Sequence, residues 1–485
     1  MKRPTLLLPL GVIILFSCQG TNPPIQNRDF NEFWALDSRI GIEMTLSDET
    51  LGFIQTYGQE KNGPYNDYYF PVSFRLTMND QTYEIDEVGI RQKGNIFSRG
   101  PFLDETGKLT NPFHFRLSFD QTFDAPFYES LGLQKSWQNG EPAYESRQKR
   151  RLFGMKSLEL KWNRSNDPSL VNQLFASQLF KSEGALAPAA TLAKVSLMTE
   201  SQGHDVGIYI VNEAIDQTFI ERNFSGAAAT GDLYKALWSN QLLLEDMATF
   251  DANLQDYVFK REKVGIENTE EFYHPVYDLK TNQQTSTHHD LMQLIKTLHT
   301  LNSIQDIEIQ RSTLNRVLDV DAFLKYAAIS YLSGNPDDMR NLTNNTYIYF
   351  HGVSKQAYFI PYDMDWSLGL TWDENLSDKM ATHSALSIKD SFEQTIRNPL
   401  YWYTILDGFV NQANRYPRIA GYQEIYLEQI QTVLSSDHFS IEQYQTMFNT
   451  KATLYASDTF TIASASEFQN IQLFIQHHNK ITAVN

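Results

Sequence analysis

Residues 321–365 read DAFLKYAAISYLSGNPDDMRNLTNNTYIYFHGVSKQAYFIPYDMD. This stretch predicts a helix over Asp321–Leu332, which a glycine ends, followed by a polar loop. Strands over Thr346–Phe350 and Ala357–Tyr362 are predicted to form a hairpin. The second strand runs directly into an Asp-x-Asp sequence at 363–365. A helix, an acidic loop, a hairpin and a carboxylate pair therefore follow one another in a short segment.

The chemistry of this segment has two interpretations. Two carboxylates and a carboxamide oxygen at adjoining loop ends can hold a hard divalent cation. In phosphoryl transfer such a cation bridges phosphate oxygens, while a further Asp orients the attacking hydroxyl. Alternatively, the Asp and Asn side chains form Asx turns and helix caps, which favour these residues for local reasons. The residues alone leave both interpretations open.

The chain before this segment is predicted to be rich in strands. Apolar residues recur with a period close to two between about Arg39 and Phe119, which is typical of half-buried strands. A later strand alternates in the same way, with Leu158, Leu160 and Trp162 on one face and Ser157, Glu159 and Lys161 on the other. Two more strands are predicted, around Ala193–Leu197 and Val206–Val211.

Helices are predicted mainly in the second half of the chain. One earlier helix is marked by Asp167 as its N-cap and by Gly184 as its end. From Asn398 onward the pattern is mostly helical. Because strands come first and helices later, the predicted fold class is α+β, arranged in two lobes.

Several cations are predicted on or beside the strands, where they could face a phosphate. They are Lys93, Arg116, Lys156, Lys161 and Lys235. Glu213, just after a predicted strand, could pair with such a cation or bind a nucleotide. The alternative for each of them is a solvated surface charge, which is the more frequent role of strand lysines and arginines.

Composition limits the partners of the chain. Its 485 residues include 58 acidic and 40 basic side chains, a formal net charge of −18. This acidic balance argues against nucleic acid or an anionic membrane surface as the main partner. A phosphate site remains compatible with it, because such a site needs only a local cluster of cations. Hydrophobic residues make up 41% of the chain, which predicts an ordered core.

The N-terminus has the pattern of a targeting signal. Met1–Arg3 is basic, and Leu6–Phe16 is an apolar stretch too short to span a bilayer. Leu15-Phe16-Ser17-Cys18 resembles a bacterial lipobox, and Cys18 is the single cysteine of the chain. We therefore predict a signal peptide over 1–17, lipidation of Cys18 and a tether over 18–38. An ordinary secretory peptide is the alternative. The predicted location is the cell envelope, lipid-anchored, on the periplasmic or the outward side.

Other catalytic classes lack their motifs. The adjacent pairs His288-His289 and His477-His478 cannot easily share one ion, and without further cysteines a zinc site is not predicted. No Gly-x-Ser-x-Gly, Gly-x-Gly-x-x-Gly or Gly-Lys-Ser/Thr phosphate loop occurs in the chain. A hydrolase is therefore a poor second hypothesis.

Seven motifs occur in a fixed order along the chain. They are Arg91-Gln92-Lys93-Gly94-Asn95, Lys156-Ser157-Leu158-Glu159-Leu160-Lys161 leading to Asp167-Pro168-Ser169, Gly207 through Glu213, Leu233-Tyr234-Lys235, Gly334-Asn335-Pro336-Asp337-Asp338, Asn345-Thr346-Tyr347, and Ile360-Pro361-Tyr362-Asp363-Met364-Asp365. Together they resemble the spore-coat CotH kinase family, from about residue 40 to the end. The resemblance implies a two-lobed, atypical protein-kinase-like domain over 39–485. Its strand-rich N-terminal lobe would span about 39–235, and its helical C-terminal lobe about 236–485.

The resemblance also implies site residues and cofactors. ATP and Mg²⁺ or Mn²⁺ are the implied cofactors. Asp337 would be the catalytic Asp, Asn345 and Asp363 metal ligands, and Asp365 a support for Asp363. The loop from 337 to 345 is longer than is usual in the family, so that Asp338 or Asn341 could take these roles. The implied nucleotide-binding residues are Lys93, Arg116, Lys156, Glu213 and Lys235.

Two positions depart from the family pattern. Arg116 stands where a nucleotide-contacting Lys is common, and Asn172 stands where an Arg is frequent. The function that the resemblance implies is transfer of the ATP γ-phosphoryl group to Ser or Thr of an envelope or extracellular protein. The alternative is a non-catalytic surface lipoprotein that binds a protein or a cell-envelope polymer. In both, the membrane is reached only through the lipid anchor, and nucleic acid is not a partner.

Overall fold

The structure is a computed structural model. It describes residues 29–59, 68–94, 102–104, 106, 113–133, 139–238, 240–251, 256–259, 261–263, 273–406, 408–411, 414–416, 418–458 and 468–485. The predicted signal peptide, Cys18, the start of the predicted tether and Asn95 lie outside these ranges. Within them, no helix is both long enough and apolar enough to span a bilayer.

Seven strands of the N-terminal region close into a barrel, in the order β1-β2-β3-β4-β5-β7-β6. Their bounds are β1 Ile40–Thr45, β2 Phe70–Met78, β3 Gln81–Lys93, β4 His114–Ser118, β5 Ser157–Trp162, β6 Ala190–Met198 and β7 Gly203–Glu213. β1 pairs with β6 in parallel, and this pairing closes the barrel. The predicted alternation in β5 is confirmed, because Leu158 and Leu160 belong to the barrel core. Glu159 and Lys161 consequently point outward.

The helices and the remaining strands follow the barrel strands or lie between them. The helices are α1 Phe30–Trp34, α2 Asp48–Gln59, α3 Pro126–Ser130, α4 Pro142–Gln148, α5 Asn172–Ser182, α6 Gln217–Asn223, α7 His289–Thr300, α8 Ile307–Asn315, α9 Val320–Ser333, α10 Glu374–Thr382, α11 Pro399–Thr404, α12 Tyr422–Leu434, α13 Ile441–Leu454 and α14 Gln472–Val484. The strands are β8 Leu233–Ala236, β9 Met247–Asp251, β10 Asp256–Phe259, β11 Arg261–Lys263, β12 Tyr273–Pro275, β13 Tyr277–Leu279, β14 Thr346–Phe350, β15 Ala357–Pro361, β16 Gly408–Asn411 and β17 Asn414–Tyr416. The fold is thus mixed, with a strand-rich N-terminal part and a mainly helical C-terminal part.

A second sheet carries the hairpin that the sequence predicts. Its strand order is β13-β8-β14-β15, and every pair in it is antiparallel. In its register Lys235 of β8 lies between Asp278 and Tyr347. The strand of Lys235 therefore belongs to the sheet of the hairpin, whereas the barrel ends at Glu213.

Helix α9 leads into the acidic loop and matches the predicted helix closely. The Asp319 carboxylate accepts a hydrogen bond from the amide of Ala322 at its start. Gly334 ends it in the left-handed conformation, with φ of +63°. A residue with a Cβ is disfavoured there, which explains the glycine.

Two local predictions differ from the structure. The helix predicted to start at Asp167 begins at Asn172, because the Asp167 carboxylate accepts from both Ser169 and Asn172 amides and shapes a turn between them. The end of the predicted tether is also folded. Phe30–Trp34 is a helix, since Phe33 is fully buried in the barrel core and fixes the segment there.

Candidate active site

The loop after α9 presents one partly exposed carboxylate. Asn335 accepts a hydrogen bond from the Asp337 amide at 2.9 Å. The Asp337 carboxylate accepts from the side-chain amides of Asn344 at 3.0 Å and Asn345 at 2.8 Å. Burial and the negative charge of Asp363 raise the pKa of Asp337 to about 6, although the hydrogen bonds from the two side-chain amides act to lower it. Asp337 is therefore mainly ionised at neutral pH and can still accept a proton.

The neighbouring Asp338 is used within the loop. It is buried, and its carboxylate accepts from Ser330 Oγ at 2.6 Å. It also accepts from the backbone amide of Asn341 at 2.9 Å and from its Nδ2 at 2.7 Å. Asn341 in turn accepts from the Ser391 amide at 3.1 Å. These contacts fix the loop and leave Asp337 as its outward carboxylate.

The Asp-x-Asp sequence lies beside this loop and is neutralised by a lysine of the barrel. Asn335 Nδ2 donates to the carbonyl of Asp363 at 3.4 Å. Lys161 Nζ contacts the Asp363 carboxylate and lies 2.8 Å from Asp365 Oδ1. Although burial opposes ionisation, the Lys161 charge holds the pKa of Asp363 below its usual range. Burial instead raises the pKa of Asp365, in spite of the same lysine.

A second charged group lies on the same outer face of the barrel. Lys93 Nζ contacts the buried Glu159 carboxylate and the hydroxyl of Tyr362. Arg116 Nη1 is 3.4 Å from Glu159. Lys93 and Lys235 both place their ammonium groups over the Tyr362 ring, at 4.6 Å and 4.8 Å from its centroid. Burial, followed by repulsion from Lys93, lowers the pKa of Lys235 to about 8.

The two charged groups meet where β3, β4 and β5 face the ends of β14 and β15. Glu159 joins them from the barrel side, and Tyr362 joins them from the sheet side, next to Asp363. A site with several lysines around carboxylates can bind a phosphate chain, because each phosphate brings oxygens that replace the carboxylates as partners. The arrangement is therefore suited to a polyphosphate and its counter-cation.

Glu159 is predicted to stabilise this cluster strongly. Replacing Glu159 by Gln removes the negative charge that Lys93 and Arg116 share, and the loss of such a partner from largely buried cations is costly. We expect the free energy of unfolding to fall by about 3 kcal/mol in urea titrations. Burial by itself would raise the pKa of Glu159, but the charges of Lys93 and Arg116 outweigh it and lower that pKa. The contribution of Glu159 to folding stability is therefore present at neutral pH and is lost as the pH falls below about 4.

A matched control is the exposed pair of Glu43 with Arg75. These side chains are 2.7 Å apart and solvent-accessible, and Glu43→Gln is expected to change stability much less than Glu159→Gln does. Equal effects of the Glu159 and Glu43 substitutions would contradict the account of the cluster.

Two of the predicted nucleotide-binding residues lie elsewhere. Lys156 precedes β5, at the end opposite to Lys161, and its Nζ is 3.7 Å from Asp120. The Glu213 carboxylate accepts from the Ala189 amide at 2.9 Å and contacts Arg222. The structure brings together Lys93, Arg116 and Lys235, but it does not bring Lys156 or Glu213 into contact with them.

Several residues of the cluster were not among the predicted site residues. Lys161 was named only as one cation of several, and Glu159 and Tyr362 were not assigned to the site. Lys161 and Glu159 share the polar face of β5, which was visible in the sequence. Their burial was not, because it depends on the second sheet covering that face.

The positive charge between the carboxylates of Asp363 and Asp365 is that of a lysine. Among the described residues, no group of three or more His, Cys, Asp or Glu side chains could hold a metal ion as it stands. Instead the Lys161 ammonium group contacts both Asp363 and Asp365, where a metal ion would otherwise bind. Carboxylate and carboxamide oxygens are the ligands that Mg²⁺ and Mn²⁺ prefer, so the donor set fits such an ion once Lys161 has moved aside.

Fold and site together define a mixed helix-and-strand protein whose partly buried cluster of lysines and carboxylates suits phosphate chemistry. A sequence model of the family described as CotH kinase protein matches residues 127–481, which is well over half of the chain. The chain belongs to the CotH kinase family.

A comparison with curated proteins finds no match for the chain. Among solved structures, the chain is similar to the crystal structure of a Helicobacter pylori proinflammatory kinase, CtkA, at 12% identity and a TM-score of 0.26. The match covers 68% of this chain and 88% of that one.

Proposed function

We propose that this protein is a kinase that transfers the γ-phosphoryl group of ATP to a Ser or Thr hydroxyl of an envelope or extracellular protein. One observation carries the proposal. Lys161 of the barrel contacts Asp363, and Lys235 of the second sheet lies over the neighbouring Tyr362 ring. Asp363 in turn adjoins the loop that presents Asp337. Membership of the family supports the same reaction class.

In this reaction Asp337 is the group that accepts the proton. The acceptor hydroxyl attacks the γ-phosphorus, the bond to the β–γ bridging oxygen breaks, and ADP leaves. The hydroxyl proton goes to the Asp337 carboxylate, which Asn344 and Asn345 hold in orientation. Asp338 is the weaker candidate for this role, because Ser330 and Asn341 already engage its carboxylate.

The remaining charges stabilise the nucleotide. Lys93, Lys235 and Arg116 are placed to neutralise phosphate oxygens, and Tyr362 orients the two lysines. Asp363, Asp365 and Asn345 would hold the divalent cation. When bound, Mg²⁺ or Mn²⁺ would neutralise charge on the phosphates. With the cation on these carboxylates, Lys161 would be available to bind the phosphates.

The proposal includes the architecture and the location of the protein. We propose that the nucleotide lies between the barrel and the sheet of β8, β14 and β15. These would belong to two lobes of a kinase-like domain, with the division between the end of β7 at Glu213 and the start of β8 at Leu233. Cys18 would carry the lipid that anchors the chain to the cell envelope. The lipobox-like sequence that ends at Cys18 supports the anchor.

Binding of ATP with Mg²⁺ or Mn²⁺ is the first test of the proposal. Calorimetry on the purified chain is expected to detect ATP binding that requires the cation and that weakens in Lys93→Ala. The Lys93 side chain lies within the cluster, whereas Lys156 lies at the far end of β5 and supplies the matched control. Equal affinity in Lys93→Ala and Lys156→Ala would refute the assignment of the nucleotide to this cluster.

The pH dependence of ATP binding follows from Lys235. Its pKa of about 8 means that the side chain loses its charge as the pH rises above 8, so that it then attracts phosphate less. We expect the dissociation constant for ATP to be about tenfold higher at pH 9.5 than at pH 7.5. In Lys235→Arg, which stays charged, this rise should be much smaller. A rise of the same size in both proteins would assign the titration to another group.

A second candidate function is a non-catalytic binding module. The contact of Lys161 with both Asp363 and Asp365 favours it, because a lysine that stays there would exclude the cation. In that case neither ATP nor Mn²⁺ should change the melting temperature of the chain.

A further inference from the structure

The C-terminal helix α14 packs on the start of the acidic loop through one histidine. His477 is buried, and its Nε2 lies 2.8 Å from the carbonyl oxygen of Leu332 in the last turn of α9. A Cβ added at Gly334, the next residue but one, would lie 2.5 Å from His477 Cε1. The imidazole ring therefore fills the space that a side chain at 334 would need.

The same turn of α14 also covers the end of the Asp-x-Asp segment. Gly369 has φ of +89°, and a Cβ there would meet the Leu473 carbonyl oxygen at 2.4 Å and His477 Cβ at 3.0 Å. A backbone hydrogen bond of 2.7 Å from Leu368 to Ser333 joins the two segments directly. His477 is thus in contact with both chain segments that carry the acidic residues of the site.

The imidazole keeps one charge state over the physiological range. Burial lowers the pKa of His477 to about 4, and the nearby His478 and Lys480 lower it further. The hydrogen bond with Leu332 acts in the opposite direction but is the weaker effect. A neutral ring has one N–H, and the geometry assigns it to Nε2, which donates to the carbonyl of Leu332. The contact is therefore a fixed structural link, and one of the free carbonyls at the end of α9 gains a donor.

We propose that His477 is a positioning residue, which holds the Asn335–Asn345 loop and the Asp363–Gly369 turn at a fixed separation. It acts on Asp337 and Asp363 through Gly334 and Gly369, and it touches neither carboxylate. This role rests on the proposed kinase function. A shift of about 1 Å between the proton acceptor and the phosphate site can cost about 10²-fold in rate, which gives such a link a catalytic consequence.

The test compares two substitutions in the full chain. His477→Leu removes the donor and keeps an apolar side chain, whereas His477→Gln keeps an amide N–H near the position of Nε2. Ile481→Val, in the same helix and fully buried, serves as a control for loss of stability alone. Hydrogen exchange of 335–345 and 363–369 is measured together with kcat and KM for ATP, below the melting temperature of every variant.

We expect His477→Leu to speed exchange in both segments about tenfold or more and to lower kcat about 10²-fold, with little change in KM. His477→Gln should restore most of both properties, and Ile481→Val should change neither. Unchanged exchange in His477→Leu, or the same acceleration in Ile481→Val, would overturn the inference. If the wild type transfers no phosphoryl group, the kinase proposal fails, while the exchange data still decide whether His477 links the two segments.

Discussion

Replacing Asp337 by Ala is expected to lower phosphoryl transfer by about 10²–10⁴-fold and to leave the chain folded, since the proton acceptor is lost. Replacing Asp338 by Ala should instead unfold the chain more easily. Its carboxylate accepts hydrogen bonds from Ser330 and Asn341 in a buried place, and both donors would lose their partner. We expect a loss of about 3 kcal/mol for Asp338→Ala.

Transfer rates and urea unfolding of the two variants separate these roles. The substitutions are adjacent in sequence and identical in chemistry, so each controls the other. Stable and inactive Asp337→Ala beside destabilised Asp338→Ala agrees with the account. An active Asp337→Ala with a stable, inactive Asp338→Ala would exchange the two roles and place the proton acceptor at 338.

Replacing Lys161 by Met is expected to have opposite effects on stability and on cation binding. Without the ammonium group, two carboxylates are left close together, of which Asp365 is buried and Asp363 is partly exposed. The free energy of unfolding without divalent cations should fall by about 3–5 kcal/mol. Mn²⁺ should restore much of that loss, because it no longer competes with the lysine for the carboxylates. Phosphoryl transfer should be lost, since the proposal also assigns Lys161 to the binding of the phosphates.

Thermal melts with and without Mn²⁺ measure both effects. The upward shift caused by Mn²⁺ is expected to be larger in Lys161→Met than in the wild type. Lys194→Met is a suitable control, because Lys194 forms a barrel ion pair of 2.7 Å with Asp205, a residue that the proposal does not assign to the site. If Mn²⁺ raises the melting temperature of Lys161→Met no more than that of the wild type, the idea that Lys161 occupies a metal-ion site is contradicted.

The local patterns of the sequence predicted much of the fold. The alternation in β5 and the end of α9 at Gly334 were both predicted correctly, because each depends on a few neighbouring residues. The adjacency of the acidic loop and the Asp-x-Asp segment was also predictable, since one short hairpin joins them.

The features that the sequence did not predict depend mainly on contacts between segments that are distant along the chain. The parallel pairing of β1 with β6 closes the barrel between distant segments, and no local pattern indicates it. Glu159 had the pattern of a solvated strand residue, but the second sheet buries it beside Lys93. The start of the helix after Asp167 was wrong because its carboxylate forms a turn with Ser169 before it reaches Asn172.

Transfer of label from γ-labelled ATP is the most direct test of the central claim, that this site is a cation-dependent kinase centre. The wild-type chain and Asp363→Ala are incubated with Mn²⁺ or Mg²⁺, alone and with a generic protein substrate. We predict label on the chain itself or on the substrate with the wild type only. Equal background with both proteins, when both are folded and neither binds ATP, would contradict the kinase proposal.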